Sequence, residues 1–438
     1  MQKISSLNNG QQNVADAFFE FLFSEDKEMG ISGGGGVGKT FLISHLIDEV
    51  MPRYHEACEL TGLKPQFDEV VMTSLTNKAS EVLSVFTGRE VQTIHSFMRL
   101  KVRDDYSTGE SKISKRNDWT VHQDKIIFID ECSMDDSKLD ALIQEGTQNC
   151  KIVYVGDHCQ MAPVKEQSSP IYREGRMKWH VLTEQMRTQI PEIQALHAQL
   201  RRTVETGVFE PIKIVPGIID HLDNDEMQEK LKSTFSQQTL DSRILCYTNK
   251  RVVAYNDYIR DLRGLPDEYT VGELLVNNAA IRLKSAMLSV EDEVEIIRLG
   301  DVESTLVVPA NGDQEEVWLN YRNADLKTRS GGIFENIPLP TDRAHFAALV
   351  EFFRKRKDWG MYFELRNTYP DLRQRDAATV YKAQGSTYDT AFIDLHDIST
   401  CRNPAQVARM LYVALSRERH RIFLFGDLAP KYGGLTYG

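Results

Sequence analysis

No apolar stretch of this 438-residue chain approaches the ~18 residues needed to cross a bilayer, and its opening, MQKISSLNNG, has no apolar core of the kind a secretion signal carries. We therefore expect a cytoplasmic protein with no membrane partner. The six cysteines, Cys58, Cys132, Cys150, Cys159, Cys246 and Cys401, stand singly, with no C-x-x-C pair and no histidine at zinc-site spacing. That pattern argues for reduced thiols and against a disulfide framework or a zinc module. Internal repeats are missing, and low complexity is confined to four glycines, Gly33–Gly36.

Positive charge is also short. Lys and Arg number 52 against 64 Asp and Glu, for a net charge of -12. Phosphate neutralisation normally dominates nucleic-acid affinity, so any nucleic-acid path must be a local basic channel on an acidic body, weakened by salt.

What is present is ordinary for a folded chain: 41% hydrophobic and 26% charged residues. The length implies about two or three domains. Roughly the first 180 and last 60 residues alternate short β-rich runs with turn residues and helical periodicity, the signature of parallel sheets flanked by helices. Candidate strands are Met29–Ser32, Glu69–Thr73, Lys125–Asp130, Lys151–Asp157, Arg243–Tyr247, Thr390–Leu395 and Arg421–Phe425. Two segments interrupt the pattern. Residues 99–124 are polar, Ser-rich and locally basic, and predict a protruding hairpin. Residues 271–375 mix strand-like runs such as Glu293–Leu299 and Glu315–Tyr321 with one helical stretch, Asp342–Lys357, and predict an inserted accessory domain.

The strongest chemical signal is Gly33-Gly34-Gly35-Gly36-Val37-Gly38-Lys39-Thr40, which fits G-x-x-x-x-G-K-[ST] directly after a strand. Glycines let the backbone N–H groups curl around phosphate oxygens, and the following helix N-terminus adds positive potential. Gly33, Gly35, Gly36, Val37 and Gly38 are thus expected to cradle ATP, with Lys39 on its β and γ phosphates and the Thr40 hydroxyl on Mg²⁺. A flexible linker would need neither Lys-Thr nor the flanking strand and helix. Asp130-Glu131 ends an apolar strand, where a parallel sheet presents ligand-binding carboxylates. Asp130 is expected to hold Mg²⁺ and Glu131 to orient or deprotonate the attacking water.

Asp130-Glu131-Cys132-Ser133-Met134 and Gly156-Asp157-His158-Cys159-Gln160-Met161-Ala162-Pro163-Val164 closely resemble motifs II and III of superfamily 1 helicases. Further segments follow in the order of that family: Leu7-x-x-Gly10-Gln11, Thr76-Asn77-Lys78-Ala79, Thr93-Ile94-His95-Ser96-Phe97, Leu182–Arg187, Tyr247–Lys250, Ala378–Thr387 and Tyr412–Arg417. The whole set is similar to subfamily 1B, the Dda- and RecD-like helicases. The resemblance implies two RecA-like motor domains, at 1–98 with 125–180 and at 181–270 with 376–438. It also implies a pin at 99–124 and an SH3-like β insertion at 271–375. Gln11 would read adenine and Gln160 would sense the γ-phosphate. Gly385 would line the nucleotide site, and Arg187 and Arg417 would deliver guanidinium groups to the γ-phosphate. Thr76, Asn77, Lys78, His95, Phe97, Asn249, Thr379 and Tyr381 would contact single-stranded DNA, and Tyr106 or Trp119 would wedge a duplex end. Ser74-Leu75-Thr76 stands where Ala-Pro-Thr is usual, and Tyr381 where many relatives carry His.

The implied activity is ATP-driven 5′-to-3′ translocation with strand separation by a monomer acting on single-stranded DNA and junctions. A single-strand-binding protein or replisome component is an implied partner. Three alternatives stay open: a nucleotide switch that does not translocate, a decayed ATPase that only binds DNA, and a motor directed at RNA.

Overall fold

A computed structural model describes residues 6–163, 166, 168–282, 287–309, 315–329 and 331–437. Val164, the last residue of the motif III match, lies outside them. Contacts divide the chain into two compact units: 1–101, 113–222 and 383–438 form one, and 102–112 with 223–382 form the other.

The first unit is built on a six-stranded sheet. Its strands, in spatial order, are Lys178–Leu182, Glu28–Gly33, Lys151–Gly156, Lys125–Asp130, Glu69–Ser74 and Gln92–Thr93. Every neighbouring pair is parallel. Parallel strands are covered on both faces, so their residues are apolar throughout rather than alternately. Lys125–Asp130 shows it: Ile126 and Phe128 enter a cluster with Val14, Phe18, Ile31 and Leu42. Ile127 and Ile129 face the opposite cluster with Leu139, Ile143 and Tyr154. Crossovers carry four strand ends, those after Gly33, Asp130, Gly156 and Leu182, to the same side of the sheet, where open parallel sheets bind ligands.

At the sheet face, Arg176 forks between two carboxylates, donating to Glu28 at 2.8 and 2.7 Å and to Asp140 at 2.8 and 2.7 Å. The same unit holds a second parallel group, Ile219–Leu222, Glu418–Phe425 and Tyr388–Asp394, with helix Pro404–Ala414 carrying the segment up to Arg417.

The second unit contains the parallel pair Ser242–Cys246 and Ala377–Thr379. Beside it is an antiparallel sheet in the order Ile333–Pro340, Val317–Thr328, Glu293–Val308, Leu274–Asn277 and Leu372–Gln374. Tyr269, Leu275, Val294, Ile296, Leu326 and Leu339 form its core. The long strands run on to a second cluster, where Val307, Val308 and Leu319 meet Leu349, Phe353 and Leu365 of helices Arg343–Arg356 and Trp359–Thr368. The insertion is therefore β-rich, as expected, but carries two helices rather than one.

The hairpin is present: Leu100–Asp105 pairs with Glu110–Lys115. Its tip belongs to the second unit and is held there. The Tyr106 ring lies 5.2 Å from that of Phe363, Asp104 accepts 2.9 Å from Asn367, and the Trp359 indole packs against Gly109.

Residues 181–222 and 383–438 fall with the first sheet, because strand Lys178–Leu182 completes that sheet and helix Pro191–Thr206 packs on helix Pro404–Ala414.

Gly30 in the P-loop strand lies against Trp179, where an added Cβ would stand 2.4 Å from the indole. Gly30→Ala is expected to displace that ring and to cost about 1–3 kcal/mol. A lowered urea midpoint checks it, and an unchanged midpoint would contradict the packing.

Candidate nucleotide and strand-contact site

The P-loop occupies the turn between strand Glu28–Gly33 and helix Lys39–His45. Gly36 and Gly38 hold φ of 87° and 81°, a left-handed conformation that L side chains avoid. Gly36 has a second constraint, since its Cβ would fall 2.3 Å from Cβ of Arg187 and 2.5 Å from Oε1 of Gln185. The Lys39 ammonium donates to the Gly33 and Gly34 carbonyls at 2.7 and 3.1 Å, which sets it over the loop.

Asp130 and Glu131 stand at the neighbouring strand end. Burial, reinforced by the Glu131 carboxyl, holds Asp130 well above the usual carboxylate range, and Lys39 pulls it partly back. A divalent cation would reverse that balance. Oxygen donors on Thr40 and Asp130 suit Mg²⁺, which prefers carboxylate and hydroxyl oxygens. Glu131 itself sits at φ 56°, a conformation that costs a non-glycine residue about 1–3 kcal/mol and clusters at functional positions.

Arg187 and Arg417 converge on the same loop. A Cβ on Gly35 would lie 3.1 Å from Arg187 Nη1 and 3.4 Å from Arg417 Nη2. Arg187 donates to the Ser416 carbonyl at 3.0 Å, and Arg417 to Val413 O at 3.1 Å and Ser416 Oγ at 3.0 Å. Among the described residues no carboxylate forms an ion pair with either. Burial, and then the adjacent Arg417 cation, push the Arg187 guanidinium down to about 10. A buried and a half-buried cation, without an ion-paired carboxylate among the described residues and next to a phosphate cradle, suit an anion.

Gln160 is 2% exposed, and its side-chain oxygen has no hydrogen-bond partner. The strand-end segment around it is fixed from the opposite side. Tyr412 donates to Asp157 at 2.6 Å, Arg201 donates to the same carboxylate at 3.0 Å, and Arg409 donates to the carbonyls of His158 and, at 2.5 Å, of Gln160. Gln384, beside Gly385, reaches Ser133 at 3.1 Å and Glu131 at 3.5 Å. Gln384, Tyr412, Arg201 and Arg409 were not singled out from sequence. The first two lie inside recognised motifs, whereas Arg201 and Arg409 are single charges on helix faces with no local signal.

Some expected roles need correction. Gln11 caps its own helix: its Oε1 accepts from the Asn8 N–H at 3.1 Å and its Nε2 donates to the P-loop carbonyls of Val37 and Gly38 at 3.4 and 3.5 Å. Its amide supports the loop rather than standing free for a base. Phe97 is 7% exposed and stacks on His122 with centroids 4.0 Å apart, so its faces are taken. Trp119 lies beyond the hairpin, packed on the core of the first unit with the Lys115 ammonium 3.8 Å above its ring, which removes it as a wedge and as a strand contact.

The remaining strand-contact candidates fall in two places. Thr76 and Asn77 are exposed, with Thr76 capping helix Asn77–Thr87 and Lys78 half-buried beside it. His95 is lowered below its usual range by burial, which keeps it neutral. In the second unit, Asn249 and Thr379 line one small cavity with Arg243, Asn278, Arg373 and Lys382, and Tyr381 follows half-buried in the same segment.

Comparison with known proteins bears on the family and the fold. Residues 21–166 match the family described as AAA domain, and residues 376–425 the UvrD-like helicase C-terminal domain. The ATP-dependent DNA helicase dda of Enterobacteria phage T4 is 22% identical over 95% of this chain and 98% of its own. An uncharacterized protein of Acanthamoeba polyphaga mimivirus is 24% identical over 95% of this chain and 99% of its own. Among solved structures, the Pif1 helicase of Candida albicans superposes with a TM-score of 0.50 at 16% identity, covering 98% of this chain and 97% of that one. A structure of two coordinating Pif1 helicases on forked double-stranded DNA gives a TM-score of 0.50 at 14% identity, covering 98% and 94%. These likenesses support the α/β fold with RecA-like parallel sheets.

Asp135, at the end of the motif II turn, is fully buried, and neither carboxylate oxygen has a hydrogen-bond partner among the described residues. Burial, then Asp140 and Asp136, push it up to about 8. In the unfolded chain it ionises near about 3.9. Between about pH 4 and pH 8 the folded state therefore holds a proton that the unfolded state has released, and stability falls as pH rises through that window. Asp135→Asn, which mimics the protonated acid, is expected to gain more over wild type in urea midpoint at pH 9 than at pH 6. Equal differences at both pH values would count against it.

Proposed function

We propose that this chain, which belongs to the Dda-like superfamily 1B helicases, runs 5′ to 3′ along single-stranded DNA and opens duplexes at a junction. It is an ATP-dependent DNA helicase, and hydrolysis takes place at the P-loop. The observation that carries the reading is the convergence of Lys39, Arg187 and Arg417 on the P-loop glycines, with Glu131 and Gln160 at the adjoining strand ends.

The roles follow from chemistry. P-loop N–H groups and Lys39 bind the phosphates, and Thr40 with Asp130 would hold Mg²⁺. When bound, that ion neutralises charge on the phosphate oxygens. Glu131 orients the attacking water and takes its proton, with Gln384 steadying the carboxylate. Arg187 and Arg417 meet charge that develops on the γ-phosphate oxygens, in a buried setting where such contacts are strongest. Gln160 reports the γ-phosphate to the segment that Arg409 and Tyr412 hold, so the presence or loss of that phosphate changes how the helicase segments grip each other.

Thr76, Asn77, Lys78 and His95 form one set of strand contacts, and Asn249, Thr379 and Tyr381 the other. Support for the second is the cavity lined by Asn249, Thr379, Arg373 and Lys382, where amide groups stand beside cations that Glu291 and Asp371 now pair and that a phosphodiester backbone would take over. Tyr106, 60% exposed at the tip of a hairpin braced by Phe363 and Trp359, is the aromatic placed to stack on a duplex end. A single-strand-binding protein or replisome component fits as a partner, and the chain as a monomer.

The reading is tested on matched duplexes with a 5′ or a 3′ single-stranded tail, with ATP and Mg²⁺. Separation of the 5′-tailed duplex alone is expected, with a loss of at least ~10²-fold in Lys39→Ala. Separation from the 3′ tail alone would overturn the polarity, and none from either would overturn the unwinding.

A further inference from the structure

Asp157-His158-Cys159 leaves the end of strand Lys151–Gly156, and helix Pro191–Thr206 lays Glu205 over it. The ligand atoms of Asp157, His158 and Cys159 all lie within 4.8 Å of one another. Glu205 Oε1 stands 3.3 Å from His158 Nε2 and 3.7 Å from Cys159 Sγ. An ion bound tetrahedrally, with metal–N and metal–O bonds of about 2.1 Å and a metal–S bond of about 2.3 Å, keeps its ligand atoms roughly 3.4–3.6 Å apart. The two edges that meet at Glu205 are thus already close to those of such a tetrahedron, and the His158–Cys159 edge, at up to 4.8 Å, closes with a small shift of either side chain. Asp157 is engaged by Arg201 and Tyr412, which leaves His158, Cys159 and Glu205 as ligands and a fourth position for water.

The surroundings favour the same set. His158 Nδ1 is 3.3 Å from Ser32 Oγ and 3.4 Å from Arg201 Nη2, so ligation through Nε2 requires the ring proton on Nδ1, donated to the serine, with Arg201 withdrawn from it. Two costs oppose binding: burial raises the Cys159 thiol, and Arg201 must release Glu205 Oε1, to which its Nε donates at 3.1 Å, while keeping Asp157. A metal–thiolate bond offsets the first, since a coordinating thiol is deprotonated outright. His158 and Glu205 are 37% and 42% exposed in their side chains, so an ion reaches the site from solvent. One nitrogen, one sulfur and one oxygen select a borderline ion and disfavour Mg²⁺.

We propose that His158, Cys159 and Glu205 form a binding site for a borderline divalent transition metal, Zn²⁺ by its donor set, that clamps the segment leading into Gln160 and slows ATP turnover. Cys159 adjoins Gln160, and Arg409 holds the carbonyls of His158 and Gln160. Pinning His158 and Cys159 to Glu205 therefore restrains the residue that responds to the γ-phosphate. Spacing along the chain gave no zinc site because Glu205 arrives from a separate helix.

The test uses the full chain without nucleotide, titrated with Co²⁺ and then with Zn²⁺. We expect a thiolate-to-cobalt charge-transfer band that Zn²⁺ abolishes. The band should vanish in Cys159→Ser, and Glu205→Gln, a surface change, should weaken Co²⁺ binding at least ~10-fold. No band in the wild type, or a band unaltered in both variants, would overturn the site. This readout needs no ATP, so it stands apart from the helicase reading. With ATP and single-stranded DNA added, Zn²⁺ is expected to inhibit hydrolysis by the wild type at concentrations that leave Glu205→Gln unaffected. Equal inhibition of the two, or Zn²⁺ binding without inhibition, would overturn the clamp.

Discussion

The rest of the site depends on two guanidinium groups set side by side. Arg417 is buried and Arg187 half-buried; both lack carboxylate partners among the described residues, and they bracket Gly35. Burying like charges together is costly, and a phosphate anion supplies what they lack. The surrounding features serve that placement. Gly36 must be glycine because Arg187 and Gln185 occupy the space of its Cβ. Helix Pro404–Ala414 delivers Arg417 after a run of buried apolar residues, and the Ser416 carbonyl fixes Arg187.

A second layer of polar contacts ties these cations to the sheet. Asp157, with no exposure, accepts from Tyr412 and Arg201, and Arg409 reaches two carbonyls of the same segment. A buried carboxylate in such a network is worth little as an isolated pair and much as a constraint on geometry. Gln160, which we propose senses the γ-phosphate, therefore sits on a segment held by the arginine-bearing helix, and that connection is the proposed route by which a change at the phosphate is transmitted.

Motifs were legible wherever chemistry demands a fixed local spacing. The P-loop, the Asp130-Glu131 strand end and the arginine segments could be read from residue order, because glycine conformation and strand-end carboxylates are local requirements. The β insertion and the hairpin were legible as composition shifts. Long-range packing was not. Phe97 and Trp119 read as strand-facing aromatics, yet His122 and Lys115 cover them. Gln11 read as an adenine contact, yet Asn8 and the P-loop carbonyls take its amide.

The central claim is that Arg187 and Arg417 act on the γ-phosphate rather than merely packing the fold. Single-turnover hydrolysis by Arg417→Ala and Arg187→Ala, alongside ADP affinity and urea midpoints, addresses it directly. The account predicts hydrolysis slowed by about 10³-fold or more in each variant, with ADP affinity changed no more than ~3-fold and folding retained. Hydrolysis within ~3-fold of wild type in folded variants would contradict it.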